Sequence, residues 1–414
     1  MKAVVVGGGL AGLSAALELT RLGHELELHE ARPTLGGAVQ TLPEREGDPA
    51  PPPDNGQHIA LGCFASYFEF LAQIGSLDSI RRTKLSLPVI GEDGSKASIG
   101  RSPLDLLRYG HLPLGDRLAI GRVLRSLGKL DPAANDDLTF ADLLHRLGQS
   151  QAAIDRFWDV FIRPALNLRS EEVSAAPAVF TVQTALLGSR RDSELALPSA
   201  PLGEMHGEAA GRELERRGAR ILLGSRVESL DDLDADASVV AVPPAESARL
   251  LGEPEIALDD SPIVSVHLLF DRPLLPHPLA ALLGSAAHWV FDRGRLTGHE
   301  PESGQYLTVV SSGAPELLAV RGRGLVDLVV SELTNRLGSA ELVWSRVSRE
   351  PAATLAARPG TAAARLGPRT SSTNVVRAGA WTATGWPATM ESAVRSGKAA
   401  AAALQAGLRE KVAA

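Results

Sequence analysis

A glycine-rich turn near the amino terminus constrains the fold of this chain more than any other feature. The apolar, β-branched run 3–6 before the turn predicts a strand, and the periodic apolar positions of 13–22 after it predict a helix that ends at Gly23. The turn has the spacing Gly-x-Gly-x-x-Gly through Gly7, Gly9 and Gly12. In a strand–turn–helix unit, these glycines permit a tight turn, a close approach of the backbone to a pyrophosphate, and close helix–strand packing. The spacing therefore predicts a Rossmann-type dinucleotide site.

The residues that follow the turn extend this prediction to the whole dinucleotide. Leu10 and Ala11 open the helix, whose free N–H groups are expected to bind the phosphates. A second strand over 25–29 ends at Glu30, eighteen positions after Gly12, which is close to the spacing of an acid that binds the ribose hydroxyls. Ala31 comes next, and a glycine pair lies shortly beyond it. This pair, Gly36 and Gly37 followed by Ala38, lets the chain pass close to a longer ligand and favours FAD over NAD.

Length, charge and cysteine usage restrict the class of protein. A chain of 414 residues exceeds one ordinary core and predicts two domains. A net charge of −7 argues against a nucleic-acid partner, which usually requires a basic excess. The single cysteine, Cys63, excludes an internal disulfide and a thiolate metal cluster, and it fits a reducing cytoplasm. We read no signal peptide, and no apolar run reaches about 18 residues, so we expect a cytoplasmic protein that at most lies on a membrane surface.

The order of predicted elements indicates an α/β fold with a discontinuous domain. Strand patterns occur at 219–227, 238–242, between 263 and 310, and at 375–376, and a helix pattern covers 388–408. Residues 76–200 have mostly helical patterns with few strand signals. We predict an FAD-binding domain formed by 1–75, 200–245 and 345–414, and an α+β substrate domain formed by 76–199 and 246–344.

The segment 101–130 has a basic, amphipathic pattern. It contains six Lys or Arg and two acids, in a chain that is acidic as a whole. Its apolar residues recur at near-helical spacing: Leu104, Leu107, Leu118, Val123, Leu124 and Leu127. Such a stretch is typical either of a helix at a membrane interface or of a core helix with a solvated basic face. Both interpretations stay open from the sequence.

Several motifs beyond the first turn resemble one family. The chain is similar over nearly its whole length to the squalene-associated FAD-dependent family, the hydroxysqualene dehydroxylases, within the amine oxidase and carotenoid desaturase superfamily. The motifs that carry the resemblance are 7–12, Asp54-Asn55-Gly56-Gln57-His58, Phe180 with its flanks, Ser261-Pro262-Ile263-Val264 leading to Phe270-Asp271-Arg272, and Trp381-Thr382-Ala383-Thr384-Gly385-Trp386-Pro387-Ala388-Thr389 continuing into Glu391 and Ser396-Gly397. The blocks at 54–58 and 381–385 are the most specific of these.

The resemblance implies a reaction and a set of cofactor contacts. The reaction is the reductive removal of the hydroxyl of hydroxysqualene to give squalene, with hydride from reduced FAD. The implied partners are a polyprenyl lipid substrate and prenyl-condensing enzymes resembling squalene synthase. The resemblance places Val227 at the adenine, and it places these residues around the flavin: Asn55, Gly56, Gln57, His58, Trp381, Thr382, Gly385, Ala388, Thr389 and Met390. The last three would open a helix whose N-terminus stabilises negative charge on reduced flavin.

Two positions depart from the superfamily pattern. Ala38 stands where Arg or Lys is common after the glycine pair, and Ala380 stands where an acid is common before the tryptophan. Each charge-assisted hydrogen bond that is lost costs about 1.5–3 kcal/mol. These departures favour an alternative of another class, in which the chain is a flavin-poor partner or scaffold of prenyl-condensing enzymes. The intact Gly7 to Gly12 spacing and Glu30 favour an enzyme.

Two enzymatic alternatives share the fold. An amine oxidase is disfavoured because no lysine occurs between Lys129 and Lys398 and because only three tyrosines exist, which makes an aromatic cage for an amine difficult to build. A carotenoid or phytoene desaturase remains the main enzymatic alternative. It acts on a similar polyprenyl chain but takes hydride instead of giving it.

Candidate residues for the chemistry can be selected only by type and position. His58 is the candidate acid for the departing hydroxyl, and the alternative is a histidine that fixes its loop. His267 lies in a strand pattern and is expected to be a hydrogen-bonded core histidine, the alternative being a residue that points into the substrate channel. Cys63 is expected to be a buried small apolar residue and not a flavin attachment point. Trp289 and Phe291 alternate on a strand pattern and either line a lipid channel or belong to the core.

Overall fold

Three β-sheets and the helices around them form the fold, which the computed structural model describes for residues 1–413. The strands are β1 Lys2–Val6, β2 Glu25–Glu30, β3 Ala60–Leu61, β4 Ile80–Thr83, β5 Ser86–Ile90, β6 Lys96–Gly100, β7 Leu195–Pro198, β8 Arg220–Leu223, β9 Ala237–Val240, β10 Asp260–Phe270, β11 Leu279–Leu282, β12 Trp289–Asp292, β13 Gln305–Ser312, β14 Leu342–Leu355 and β15 Val375–Arg377.

The helices lie mainly between these strands. They are α1 Leu10–Arg21, α2 Ala65–Gln73, α3 Pro103–Arg108, α4 Leu114–Leu127, α5 Phe140–Arg146, α6 Gln151–Ala153, α7 Asp159–Leu166, α8 Ala175–Thr181, α9 Ala209–Arg216, α10 Pro244–Leu251, α11 Arg293–Thr297, α12 Pro315–Leu318, α13 Gly324–Leu337, α14 Thr361–Ala364 and α15 Met390–Ala413. Short π-helical turns occur at Ile154–Trp158, Val182–Leu187 and Glu204–Glu208. Within residues 1–413, no helix combines the length and the apolar composition that a membrane span requires.

The first sheet contains five parallel strands in the order β15–β9–β1–β2–β8. The β-branched residues of β1 are buried on both faces, as expected for a central strand of a parallel sheet covered by helices. Helix α1 packs against α15, where a Cβ at Gly397 would overlap the carbonyl oxygen of Ala11. The strands of this sheet come from the amino-terminal, middle and carboxy-terminal parts of the chain, which brings distant segments to one edge.

The second sheet has seven strands in the order β14–β10–β13–β12–β11–β5–β6. Strand β14 pairs with β10 along most of its length, from Asp260 opposite Leu355 to Phe270 opposite Leu342. Strand β14 therefore crosses the boundary that we predicted at residue 345, and it pairs with a strand that we assigned to the substrate domain. The remaining domain division stays a prediction.

The middle of the chain contains more strands than its sequence indicates. Strands β4, β5, β6 and β7 all lie between residues 80 and 198, where the patterns predict mostly helix. Strands β4 and β7 form a three-stranded sheet with β3, and β5 and β6 extend the second sheet. The signal is weak because strands such as Ile80–Thr83, with two arginines and two half-buried residues, have only a short alternating pattern.

Candidate functional site

One large cavity extends from the edge of the parallel sheet to the second sheet. Its volume is about 1110 Å³, above the roughly 300–1,000 Å³ of a pocket for one small molecule. It is lined by all but three of the residues predicted to bind the cofactor: Gly7, Gly9, Leu10, Ala11, Glu30, Ala31, Gly36, Gly37, Ala38, Asn55, Gly56, Gln57, His58, Val227, Trp381, Ala388, Thr389 and Met390. The exceptions are Gly12, Thr382 and Gly385. The fold therefore brings the separate sequence motifs together, although the individual contacts to FAD stay predictions.

The first turn of α1 forms one end of this cavity. Gly9 is the N-cap of α1, and no side chain accepts a hydrogen bond from the first N–H groups of the helix. Free N–H groups at a helix N-terminus bind phosphate. A Cβ at Gly9 would have the Cα of Gly37 as its nearest neighbour, at 3.8 Å, so the space in front of the turn is open to a ligand.

Gly12 has a different role in the same turn. A Cβ at Gly12 would overlap the carbonyl oxygen of Gly7, and it would lie 3.2 Å from the Cβ of Ala241 on the loop after β9. Gly12 does not line the cavity. This position agrees with the predicted role of Gly12 in close helix–strand packing. It does not agree with the prediction that Gly12 faces the ligand.

Glu30 lies at the end of β2 with its carboxylate buried beside the turn. Its Oε2 accepts a hydrogen bond from the backbone N–H of Gly8 at 2.7 Å, and its Oε1 accepts one from the N–H of Arg32 at 2.8 Å. A carboxylate has about four acceptor sites, so each oxygen can accept a further bond from a ribose hydroxyl. The two backbone bonds fix the carboxylate at the position predicted for ribose binding.

Val227 also lines the cavity. We expected it on a strand, but β8 ends at Leu223 and the chain turns at Gly224, so Val227 lies in the following loop. Its side chain is buried against Val4 and Val6 of β1. Among residues 1–413, the cavity lining contains two cationic side chains other than histidines, Arg32 and Arg226.

A buried ion pair fixes the segment that leads to Asn55. Asp54 and Arg293 approach within 2.5 Å, with side-chain exposures of 4% and 2%. The other carboxylate oxygen of Asp54 accepts hydrogen bonds from Thr41 Oγ1 at 2.7 Å and from the N–H of Leu202 at 3.0 Å. Arg293 also donates to the carbonyl oxygen of Pro52 at 2.6 Å, and together these bonds hold the start of the loop 54–58 in place.

Asn55 then presents an unsatisfied acceptor next to the cavity. Its Nδ2 donates to the carbonyl oxygen of Ala38 at 2.6 Å, and its N–H donates to that of Gln40 at 3.0 Å. Its Oδ1 is buried and has no hydrogen-bond partner among residues 1–413. A buried acceptor without a partner is unfavourable, so this atom is suited to a donor on a bound ligand.

The carboxy-terminal loop 379–389 forms the opposite wall, and Arg365 organises it. The guanidinium donates to four main-chain carbonyl oxygens: Ala380 at 2.9 Å, Trp381 at 3.1 Å, Thr382 at 2.6 Å and Trp386 at 2.7 Å. Burial lowers the pKa of Arg365 from its usual value. No sequence motif indicated this residue, because its acceptors are backbone atoms 15 to 21 positions away.

Four residues of this loop differ from their predicted places. The Thr382 side chain is buried and donates to the carbonyl oxygen of Gly379 at 2.9 Å, so it braces the loop from behind. Gly385 also lies outside the cavity lining. Helix α15 begins at Met390, so Ala388 and Thr389 precede it instead of opening it, and Thr389 accepts the N–H of Ala393 at 2.9 Å.

The two departures from the superfamily pattern share a structural feature. At Ala38 the main-chain carbonyl accepts from Asn55, and at Ala380 it accepts from Arg365. In both places a polar side chain from elsewhere fixes the backbone next to the cavity. The positions of the main chain are thus maintained without the charged side chains at 38 and 380.

The part of the cavity away from the turn is apolar. Its walls include Val160, Phe161, Phe180, Trp289, Phe291 and Val310. Trp289 and Phe291 stack with ring centroids 6.1 Å apart, and Phe180 packs edge-on against Trp386 at 5.2 Å. No tyrosine or lysine lines the cavity within residues 1–413. Such walls fit an apolar substrate.

His58 lines the cavity next to Asn55, Gly56 and Gln57 of the same loop. Burial of the ring lowers its pKa below the usual 6.5, against the opposing effects of the Gly56 carbonyl and the Asp54 charge. The side chain is partly exposed and lines the cavity. At neutral pH the imidazole is mostly uncharged. A role as acid stays a prediction and requires proton uptake at lower pH.

Two other candidate residues have less reactive surroundings. Burial raises the pKa of the Cys63 thiol to about 12, so it is protonated although it lines the cavity. We expected Cys63 to be buried, and it is only partly so. His267 is fully buried outside the cavity lining, with Nδ1 3.0 Å from Thr308 Oγ1, and burial lowers its pKa to about 3.

Comparisons with known proteins assign the chain to a family. The profile of flavin containing amine oxidoreductases matches residues 10–405. The chain belongs to this family. It is 28% identical over 425 residues to hydroxysqualene dehydroxylase of Sinorhizobium fredii, with 96% of each chain covered. It is 27% identical over 323 residues to the chloroplastic/chromoplastic zeta-carotene desaturase of Zea mays, with 66% of this chain and 56% of that protein covered.

Solved structures of the family have the same architecture. Cyclohexylamine oxidase from Brevibacterium oxydans superimposes with a TM-score of 0.75 over 99% of both chains at 18% identity. This similarity confirms the predicted α/β fold with its FAD-binding unit. The open turn at Gly9, the buried carboxylate of Glu30 and the unpartnered Asn55 Oδ1 fit an extended dinucleotide. The chain is an FAD-dependent oxidoreductase, as its sequence predicted.

Proposed function

We propose that this flavoprotein removes the hydroxyl of hydroxysqualene by reduction to give squalene. The observation that carries the proposal is the coverage of the relatives: the dehydroxylase similarity extends over almost all of both chains, whereas the desaturase similarity covers little more than half of the desaturase. The apolar walls around Phe161, Phe180 and Trp289 support a polyprenyl substrate. The sequence of the cofactor half alone does not separate the two reactions.

The proposed reaction exchanges a C–O bond for a C–H bond. Reduced FAD, when bound, supplies the hydride to the carbon and is oxidised by two electrons, while a proton combines with the departing hydroxyl to form water. The apolar walls exclude bulk water from the reacting carbon. The positive end of α15 at Met390 borders the cavity and favours negative charge there. The bonds of Asp54 and Arg365 fix the two loops that orient the reactants.

An anaerobic stopped-flow experiment tests this proposal directly. Purified protein with photoreduced FAD is mixed with hydroxysqualene, the return of oxidised-flavin absorbance is followed, and the lipid is extracted. We expect reoxidation at a rate that depends on the lipid concentration, together with one squalene per flavin. Flavin that stays reduced would overturn the proposal, and a polyene desaturated by the oxidised protein would then identify a desaturase. Protein that retains no flavin would favour a partner of prenyl-condensing enzymes.

The pH dependence of the same reaction tests His58. If the imidazolium protonates the departing hydroxyl, the rate constant is highest at low pH, since the protonated fraction of a group with a lowered pKa declines as pH rises through a value below 6.5. Above that value we expect about a tenfold decrease per pH unit. His58→Gln should reduce the rate by about 10²–10⁴-fold at low pH and flatten the profile. A wild-type rate that is constant from pH 5 to 8 would assign His58 to fixing the loop.

A further inference from the structure

A cluster of solvent-exposed leucines lies on α3 and α4. Their exposed fractions lie between 43% and 58%, and they belong to the short segment 104–118: Leu104, Leu107, Leu114 and Leu118. The two helices are adjacent, since a Cβ at Gly121 of α4 would lie 3.8 Å from Leu106 Cδ2 of α3. We refer to the exposed faces of α3 and α4, with Lys129, as the α3–α4 surface. Four exposed leucines on two adjacent helices, all between residues 104 and 118, are unusual for a surface exposed to water.

Helix α4 separates its apolar residues into two faces. Ile120, Val123 and Leu127 are buried in the core of the helical region. At about 100° per residue, Leu114, Leu118, Arg122 and Arg125 all lie within a quarter of a turn on the other side of the helix. Core packing therefore explains the first face and does not explain the second. The interpretation of 101–130 as a core helix is thus confirmed for the first face, and contact of the second face with a membrane stays a proposal.

The α3–α4 surface carries four exposed cations. Arg108, Arg122, Arg125 and Lys129 are exposed, and none of them forms a salt bridge with any residue of 1–413. The two acids of the segment are partly buried, and Asp105 is bound to Ser102 in a capping box. The chain has a net charge of −7, but these four cations without salt bridges give the surface around the exposed leucines a positive electrostatic potential.

The α3–α4 surface lies directly behind the wall of the cavity. Gln183 Nε2 donates to the carbonyl oxygens of Leu127 and Leu130, both at 2.8 Å, and so connects the end of α4 to the π-helical turn Val182–Leu187. Thr184 and Ala185 of this turn line the cavity. A surface that contacts a lipid phase here would place that phase near the apolar part of the site.

We propose that the α3–α4 surface docks on an anionic lipid bilayer, with its leucines among the acyl chains and its arginines against the headgroups. The charge pattern complements such a surface. A protein partner fits less well, because the centres of protein interfaces are enriched in aromatic residues, whereas the exposed apolar side chains here are all leucines. The proposal goes beyond the proposed function, since vesicle binding requires neither reduced FAD nor hydroxysqualene.

Vesicle cosedimentation tests the docking with the full flavoprotein. We expect binding to phosphatidylglycerol vesicles, weaker binding to phosphatidylcholine vesicles, and a decrease with added salt. Arg122→Gln with Arg125→Gln should weaken the partition coefficient roughly 25-fold, at about fivefold per arginine. Leu114→Ser with Leu118→Ser should weaken it at least about tenfold.

Matched variants away from this surface provide the controls. Leu328→Ser changes an exposed leucine of α13, and Arg212→Gln changes an exposed arginine of α9. Both should bind vesicles like the wild type, and all variants should retain bound flavin and the wild-type circular dichroism spectrum. Equal binding by the α3–α4 variants and the wild type would overturn the proposal. A wild-type protein that binds neither kind of vesicle would also overturn it. In that case, binding to a prenyl-condensing enzyme that is lost in the leucine variants would identify a protein as the partner of the α3–α4 surface. These vesicle-binding results do not affect the interpretation of the stopped-flow test, which measures the reaction with hydroxysqualene.

Discussion

Gly9→Ala is expected to give a folded protein that binds FAD on the order of a hundredfold more weakly, a loss of about 3 kcal/mol. The backbone of Gly9 is extended, with φ −76° and ψ 175°, a conformation that alanine adopts without strain. Its added Cβ would contact only the Cα of Gly37, at an ordinary 3.8 Å. The methyl group therefore leaves the protein packing intact and projects into the space in front of the turn, where a pyrophosphate must approach.

Two other glycine variants make this experiment specific. In Gly12→Ala the Cβ overlaps the carbonyl oxygen of Gly7, so we expect loss of the packing between β1 and α1 and a lower melting temperature even without FAD. Gly110→Ala adds a Cβ with no protein atom within 4 Å and should leave both properties unchanged. Flavin per protein and the melting temperature of the flavin-free form are measured for all three. Stoichiometric FAD in Gly9→Ala would show that the cofactor does not approach this backbone.

Local sequence patterns were sufficient for the amino-terminal half of the cofactor site. The strand, glycines and helix around Gly9 are contiguous, and their physical roles depend on neighbours only a few residues away. Glu30 was also predictable, because the length of one helix and one strand fixes its distance from the turn. The same reasoning identified Trp289 and Phe291 as alternating residues of a strand, and the structure places both on the cavity wall.

Contacts between distant segments explain what the sequence did not predict. Asp54 and Arg293 are 239 positions apart, and no pattern in either segment indicates that they pair. Helical spacing in 101–130 predicted α4, but only the neighbours in the fold decide that Val123 is buried while Leu118 is exposed. Thr382 illustrates the same limit, because its type and motif suit a ligand contact and its surroundings direct the hydroxyl to Gly379 instead.

Arg365→Met should remove FAD binding and destabilise the protein by at least about 3 kcal/mol. The variant leaves the carbonyl oxygens of Ala380, Trp381, Thr382 and Trp386 without their common donor. Hydrogen bonds to a charged group contribute about 1.5–3 kcal/mol each, and partial relaxation recovers only some of the loss. Because Trp381 and Trp386 line the cavity, movement of their backbone changes the flavin wall itself.

The conservative replacement separates the geometry of Arg365 from its charge. Arg365→Lys retains the charge but has three donors on one nitrogen, which cannot reach four carbonyls arranged around a planar guanidinium. We expect intermediate stability and partial flavin retention. Arg358→Met, which removes an exposed arginine paired with Glu172, should change stability by less than about 1 kcal/mol. Melting temperature and bound flavin are measured for each. If Arg365→Met retained wild-type flavin, the loop would be fixed by Ser392 and Ser396 instead, through their bonds to Ala380 and Gly379.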